Sequence, residues 1–341
     1  MVEIYLIKKC IQQLRFNFPY SAEDWIDTFQ IENYHSHKTW SNVIQADSAT
    51  STEEFMQLNY ERGCKCLFTT EHGYAGNYFL AYDLCHDSKV LSKYGILEQP
   101  KFRYGAEFYW VKDRHIQDNS NCHIVVIARN YTGMRKMNYI TSIANSEVKD
   151  GGGFYGKPRI DIELLKTLTK DDVFITTACI AGWKYEDAED VWLDLHNHFK
   201  DSFFLEYQCN DTDWQKTLNK RIQRLSREHN IQTIIGLDTH YLNEKDKIRR
   251  DDLLKRKKIS YPEEDGNYMD FPTGQEIYKR MIEQGICTDE EIVISMMNTN
   301  IFVNECEEII FNSDFKIPIL PSMQHMTSEE RKDVLRRLMI D

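Results

Sequence analysis

The stretch 172–209, DVFITTACIAGWKYEDAEDVWLDLHNHFKDSFFLEYQC, carries a strand, a helix and a second strand in succession. DVFITTAC (172–179) and SFFLEYQC (202–209) are short runs of β-branched and aromatic residues, and apolar positions recur near helical spacing through WKYEDAEDVWLDLHNHF between them. Strands that alternate with helices predict a largely parallel sheet or barrel. Working outward, five more runs read as strands: DTFQIENYHSH (27–37), KCLFTTEH (65–72), KFRYGAEFYWV (101–111), CHIVVIARN (122–130) and IQTIIGLDTH (231–240). STEEFMQLNYERG, with Ser51 as its cap, reads as one of the intervening helices.

Two features break the regular alternation. Runs 101–111 and 122–130 are joined only by the polar KDRHIQDNSN, too short for a helical crossover, which predicts a hairpin and an irregular barrel. NSEVKDGGGFYGKPR (145–159), with three consecutive glycines, reads as a long flexible loop near a site or an interface. From about Asp246 the texture becomes helical, with the charge run KDKIRRDDLLKRKK (245–258) carrying eight basic and three acidic residues. FKIPILP (315–321) follows, and TSEE at Thr327 opens a new helix with a capping-box pattern. The chain stops within that helix at Asp341, as a fragment or one half of a split protein would.

Composition bounds the function. With 341 residues, 41% hydrophobic and 28% charged, the chain buries a sizeable core, which excludes a small disulfide scaffold and wholesale disorder. A net charge of −12 argues against a protein that grips duplex nucleic acid over its whole surface. Nine irregularly spaced cysteines, no signal peptide at the start and no apolar run long enough for a membrane helix point to the cytoplasm and away from a membrane. Cys64 and Cys66 lack the spacing of a zinc knuckle and read as buried thiols.

Polar residues gather where these strands begin or end. His35-Ser-His37 and Asp238-Thr-His240 each put two ligand-type side chains on one face of an extended segment, within reach of one cation. His196-Asn-His198 has the same spacing on a helical pattern, where positions two apart diverge by about 200°, and is rejected as a pair. His72, Glu107, His123 and Cys179 lie at other strand ends or within strands, and barrel active sites collect residues from several strand ends. Histidine, aspartate, glutamate and cysteine without a lysine or serine nucleophile among them are the ligand mix of a multinuclear zinc, manganese or iron site. Tyr34, Trp40, Tyr74, Tyr109 and Trp110 stand beside these positions, open to stacking on an unpaired base or to core packing.

The ordered motifs HSH (35–37), DS (47–48), TEHG (70–73), GAEFYW (105–110), HIVV (123–126), KPRID (157–161), TTACIAG (176–182) and LDTHYL (237–242) resemble the PHP (polymerase and histidinol phosphatase) domain. More narrowly, they look like the N-terminal region of bacterial and phage DNA polymerase III alpha subunits, from about Asn33 to Leu320. The long spacer in HSHKTWSNVIQADS and TEHG in place of TDHG favour a phage-type variant. The resemblance implies an irregular seven-stranded (β/α)7 barrel with a C-terminal helical connector. It divides the chain into an N-terminal extension (1–26), a metal-dependent phosphoesterase barrel (27–245) and a connector (246–341) leading toward a polymerase palm that the chain lacks.

The family binds up to three divalent ions (zinc, manganese or iron) through nine ligands, and each has a counterpart here. The resemblance assigns His35, His37, Glu107 and Asp238 to the first ion, and Glu107, His123 and Cys179 to the second. Asp47, His72 and His240 are assigned to the third, with Asp27 and Glu53 as competitors for the place of Asp47. It implies a metal-bound water as nucleophile and hydrolysis at a DNA 3′ end, single-stranded or at a primer terminus, as a 3′-5′ exonuclease of proofreading type in DNA replication. Lys157 and Arg159 are the candidates for gripping phosphate, and the run 245–258 is a second candidate DNA contact or a solvated helix face. A separate palm chain or replisome proteins are the implied partners, in the bacterial host cytoplasm if the gene is a phage's. Two other readings stay open: a non-catalytic module supporting a polymerase, and a small-molecule phosphatase of the histidinol-phosphatase type.

Overall fold

The computed structural model of the chain describes residues 31–117, 119–311 and 325–338. The expected N-terminal extension, the first part of the run 27–37 and FKIPILP (315–321) lie wholly or largely outside them. The chain divides into two compact units, Met1–Ile309 and Ile310–Asp341. The expected boundary at 245/246 therefore does not coincide with the edge of the first unit.

Among the described residues seven strands form one sheet: β1 (Cys66–Thr69), β2 (Lys101–Val111), β3 (Cys122–Ala128), β4 (Arg159–Asp161), β5 (Val173–Thr176), β6 (Phe203–Tyr207) and β7 (Thr233–Ile235). Their order is β1-β2-β3-β5-β6-β7, with β4 added to β2. The helices of six residues or more in the first unit's described residues are α1 (Thr52–Glu61), α2 (Tyr78–His86), α3 (Ser88–Lys93), α4 (Tyr131–Asn145), α5 (Ala188–Phe199), α6 (Asp213–His229), α7 (Glu244–Lys257), α8 (Gly274–Gln284) and α9 (Asp289–Met297). Between β5 and β6 lies α5, and between β6 and β7 lies α6, so those strands pair in parallel. The short connection after β2 yields the expected hairpin, because β3 runs antiparallel to β2 and, on its other side, to β5. The result is a curled, parallel-rich barrel sheet with one strand reversed.

The two edges of the sheet meet through the segment around Ser36. Thr239, beyond β7, donates from its amide to the His35 carbonyl (3.1 Å) and accepts from the His37 amide (2.8 Å). On the other side, Thr70 at the end of β1 accepts from the Ser36 amide and donates to the Tyr34 carbonyl through its hydroxyl. Among the described residues, the run expected as a strand over 27–37 thus reduces to a single bridge between Ser36 and Thr239. The Thr70 hydroxyl stands in for a backbone ladder on that side.

The seventh strand comes instead from the segment expected as a flexible loop. Arg159–Asp161 pairs with Tyr109–Val111 of β2, and bridges Glu147–Phe154 and Tyr155–Lys157 fold the glycine-rich part back on itself. A Cβ at Gly152 would lie 2.1 Å from the Ser146 carbonyl oxygen and one at Gly153 2.0 Å from that of Arg159. These glycines permit close backbone approach rather than mobility.

Helix α1 starts as expected, with a reciprocal capping box between Ser51 and Glu54. Inside the barrel, Tyr34, Phe68, Val125, Ile127, Phe174, Phe204 and Ile234 form a cluster completed by Phe302 and Val303 from the turn Ile301–Asn304. Arg103 on β2 clasps that turn, donating to the carbonyls of Phe302 (2.7 Å) and Val303 (3.2 Å). Cys64 and Cys66 are buried thiols, as the sequence indicates. The second unit holds the helix α10 (Ser328–Leu338), opened by Thr327 and Glu330 in the expected capping geometry.

Candidate metal centre

Strand direction brings the candidate ligands to one end of the barrel. His72, Cys179 and Asp238 follow the C-terminal ends of β1, β5 and β7. His123 opens β3, but β3 is reversed, so its start falls at the same end. Glu107 lies within β2, which outruns its neighbour β1; the His72–Glu107 bridge marks the level. Asp238 and Ala178, the residue before Cys179, have left-handed backbone with φ of 49° and 55°. Non-glycine residues in that region carry strain, and both lie where the chain must turn a ligand inward.

Glu107 is the centre of the group. One of its oxygens lies 3.2 Å from His35 Nε2 and 2.9 Å from His123 Nδ1; the other lies 2.7 Å from His72 Nδ1 and 3.5 Å from His37 Nε2. Asp238 Oδ1 stands 3.3 Å from His35 Nε2 and 3.2 Å from His37 Nε2. Asp47 Oδ2 is 2.9 Å from both His72 Nε2 and His240 Nε2. Cys179 Sγ lies 3.7 Å from His123 Nδ1. Among the nine candidates, three sets have ligand atoms within 4.8 Å of one another: His35, His37, Glu107 and Asp238; Glu107, His123 and Cys179; and His37, His72 and His240. All nine residues assigned from the sequence converge; of the two competitors for the place of Asp47, Glu53 pairs instead with exposed Lys93, and Asp27 lies outside the described residues.

The electrostatics fit a cation site. Burial alone would raise Glu107, but His123, His35 and His72 hold its carboxyl well below the usual range. Asp47, against the same burial, is held well below by His240 and His72. Asp238 is likewise depressed by His35, His240 and His37, which outweigh burial. His37 goes the other way: burial and the neighbouring His72 and His240 push it down to about 3, so its imidazole is neutral. His72 is pushed up to about 9 despite burial, by its bonds to Asp47 and Glu107. Burial, with Asp238 and Glu107 nearby, raises the Cys179 thiol well above its ordinary value, a setting in which a coordinated cation would drive deprotonation.

His37 Nε2 is buried without a hydrogen-bond partner, although carboxylate oxygens stand 3.2 and 3.5 Å away. Its other nitrogen is held by Ser41 Oγ at 3.0 Å. A buried imidazole nitrogen left unpaired among anions is costly unless a cation takes its lone pair. The donor set and this orphaned atom both suit divalent metal. A cavity of about 140 Å³ opens onto the group, lined by Asp47, His72, His123, Cys179, Asp238 and His240.

A family model for the PHP domain matches residues 33–210, just over half of the chain. The chain belongs to the PHP domain family. PHP domains are metal-dependent phosphoesterases as a superfamily. DNA polymerase III subunit alpha of Aquifex aeolicus is 27% identical over 251 residues, 69% of this chain and 20% of the relative. The subunit of the same name in Borreliella burgdorferi is 26% identical over 304 residues, 85% of this chain and 24% of the relative, and that of Treponema pallidum 28% over 229 residues, 63% and 18%. The aligned part of the chain thus spans about a fifth to a quarter of the length of these relatives.

Around the candidate ligands lie residues that sequence reasoning did not find. Glu206, on β6, accepts from Tyr34 Oη, Thr176 Oγ1 and Gln208 Nε2, and lies 2.8 Å from His35 Nδ1. That contact orients the His35 ring and leaves Nε2 facing Glu107 and Asp238. A Cβ at Gly236 would lie 2.1 Å from Glu206 Oε1, so the carboxylate fits only against glycine. Glu71, in the TEHG motif, accepts from the Lys38 amide, Ser41 Oγ and Asn77 Nδ2, and so steadies the His37–Ser41 turn. Nothing in the spacing of either glutamate marks these roles.

Two expectations divide. Lys157 lines the cavity, its ammonium 2.7 Å from Gln45 Oε1 and 4.3 Å from the Tyr109 ring centroid. Arg159, the other phosphate candidate, is buried, and its guanidinium donates to the carbonyls of Gly153, Ile116 and Arg114. It pins the glycine-rich segment, which leaves it no face for phosphate. Lys184 also lines the cavity and is exposed. Tyr34, Tyr109 and Trp110 are core residues, whereas Trp40 reaches the surface beside Tyr74, whose hydroxyl donates to the Trp40 carbonyl. The rejected pair on α5 is apart: His198 Nε2 contacts the Leu168 carbonyl and His196 packs on Phe203.

Proposed function

We propose that the chain is a metal-dependent phosphoesterase that removes nucleotides from DNA 3′ ends, with His35, His37, Asp47, His72, Glu107, His123, Cys179, Asp238 and His240 holding up to three divalent ions. The observation that carries the reading is the buried, unpaired His37 Nε2 within a ring of carboxylates and imidazoles. When bound, zinc, manganese or iron supplies Lewis acidity and lowers the pKa of water toward about 7. The chain's own residues do the rest. Glu206 fixes His35, Ser41 fixes His37, and Lys157 offers a positive charge to a phosphate entering the cavity. DNA as substrate is supported by relatives named as DNA polymerase III alpha subunits. Residues after Ile309, where the first compact unit ends, lead on this reading toward a polymerase domain.

The test uses protein loaded with manganese or zinc against a 3′-recessed DNA, p-nitrophenyl phosphate and histidinol phosphate. Release of nucleotides from the recessed end is expected, with Asp238→Asn losing at least a hundredfold in rate while its melting temperature is retained. Cleavage of histidinol phosphate alone would place the chain with small-molecule phosphatases. No cleavage of any substrate, with Asp238→Asn changing only stability, would make it a structural module.

A further inference from the structure

The loop 44–49 carries Asp47, has no regular secondary structure, and belongs to the spacer that the sequence makes unusually long. Part of its hold is local: Asn42 Oδ1 accepts from the amides of Asp47 and Ser48. The rest comes from far along the chain, out of α7 and the segment after it. Arg249 Nη2 donates to the Ala49 carbonyl at 2.8 Å, and Tyr261 Oη donates to the Ala46 carbonyl at 3.1 Å. Arg250 lies between these in effect and is the buried member. Its Nε donates to the Asp47 carbonyl at 2.7 Å, and its Nη2 reaches both Asp47 Oδ1 (2.5 Å) and Glu264 Oε2 (2.7 Å).

From this geometry we infer that Arg250, held by Glu264, is the positioning residue for the metal group containing Asp47, His72 and His240. The inference rests on the metal reading above and extends it to a residue outside the nine. A carboxylate has two equivalent oxygens and turns freely unless one is engaged. With Oδ1 taken by the guanidinium, only Oδ2 is presented, 2.9 Å from both His72 Nε2 and His240 Nε2. The second Arg250 bond, to the Asp47 backbone, fixes the loop itself, so one planar fork sets both the side chain and its anchor. Lysine has a single nitrogen and cannot make both bonds with that geometry. Arg250 is 5% exposed, so its charge is not available to solvent or to a strand of DNA. The charge run is therefore divided in use: Arg250 faces inward, while Lys245, Lys255, Arg256 and Lys257 remain exposed.

The experiment is a zinc titration of the full chain, in competition with a chromophoric chelator, joined to elemental analysis of zinc retained after gel filtration. His240→Ala sets the benchmark for losing this group, and Arg256→Met is the control on the same helix. Arg250→Met is expected to lose the same class of zinc as His240→Ala, with that class weakened at least tenfold and the other classes unchanged, while the stripped protein, though less stable, still melts cooperatively. Arg250→Lys, which keeps the buried charge, is expected to fall between. An Arg250→Met isotherm that superimposes on that of the unmodified protein, or one weakened equally in every class, overturns the assignment. If Arg250→Met does not fold, the class-specific loss in Arg250→Lys decides by the same criteria. Absence of zinc uptake by the unmodified protein would sink the metal reading and this inference together, whereas normal uptake unaffected by Arg250 sinks the inference alone.

Discussion

Glu206 shows how much of the site depends on groups that touch no candidate ion. It accepts three side-chain donors and lies against His35, all at 2.8–3.0 Å, in a fully buried position. Glu206→Gln would replace one acceptor oxygen by an amide that faces donors, so the His35 ring loses its fixed tautomer. We expect zinc affinity to fall 10- to 100-fold, about the usual cost of removing such a partner, read from chelator competition on the full chain. Unchanged affinity would mean that His35 orientation does not matter. The candidate pairs His35/His37 and Asp238/His240 were legible because a spacing of two in a strand-like run points both side chains one way, although Asp238 itself turns into left-handed backbone. Glu206 was not, because apart from the nearby Gln208 its partners come from the distant segments at Tyr34–His35 and Thr176, which only the folded barrel brings together. Arg250 was hidden differently: within a run of eight basic residues nothing in the sequence says which one turns inward.

At the level of elements, six of the seven described strands, the three-residue β7 included, fall within runs that read as strands, and β4 alone does not. β4 has three residues and follows Pro158, so turn chemistry masks it; it exists because Arg159 ties the preceding loop to three carbonyls. The start of β1 has a comparable tie. Glu32 accepts from the amides of Lys65 (2.8 Å) and Cys66 (2.9 Å), holding the strand's first residues to the 31–37 segment. Burial pushes its carboxyl up to about 7, more than these two bonds and Arg103 restrain it. A carboxyl whose folded pKa exceeds its unfolded value near 4.5 binds its proton more tightly when folded. Its contribution is therefore greatest below pH 4.5, declines as pH rises to about 7, and is level above. Denaturant unfolding of metal-stripped protein should show this decline at up to about 1.4 kcal/mol per pH unit. Glu32→Gln, compared over the same range, should remove that component of the slope; an identical slope in both proteins would assign the titration elsewhere.

For the whole molecule, the question is where the folded PHP unit ends. The family resemblance suggested 245, but burial continues to Ile309. α9 packs on β7 with Ser295 Oγ 2.6 Å from Thr233 Oγ1, and Asn298 donates to the Thr233 carbonyl. Phe302 packs its ring against Tyr34, Phe68, Phe174 and Phe204, with centroids 5.0–6.4 Å apart. Emptying one such aromatic site costs about 3–5 kcal/mol, a large fraction of the roughly 5–15 kcal/mol that stabilises a domain. A chain ending at 245 loses Phe302, Val303, Ile292 and Met296 together, and it leaves Arg103 buried without the carbonyls it now holds. Residues 1–309 should therefore melt cooperatively, within a few degrees of the full chain by circular dichroism. Residues 1–245 should show no cooperative transition and should be cut rapidly by trypsin. The shorter piece also lacks Arg250, so zinc uptake provides a second readout: 1–309 should match the full chain in every class. A cooperative melt from 1–245 would show that the barrel closes on its own and that the helices after it are only docked upon it.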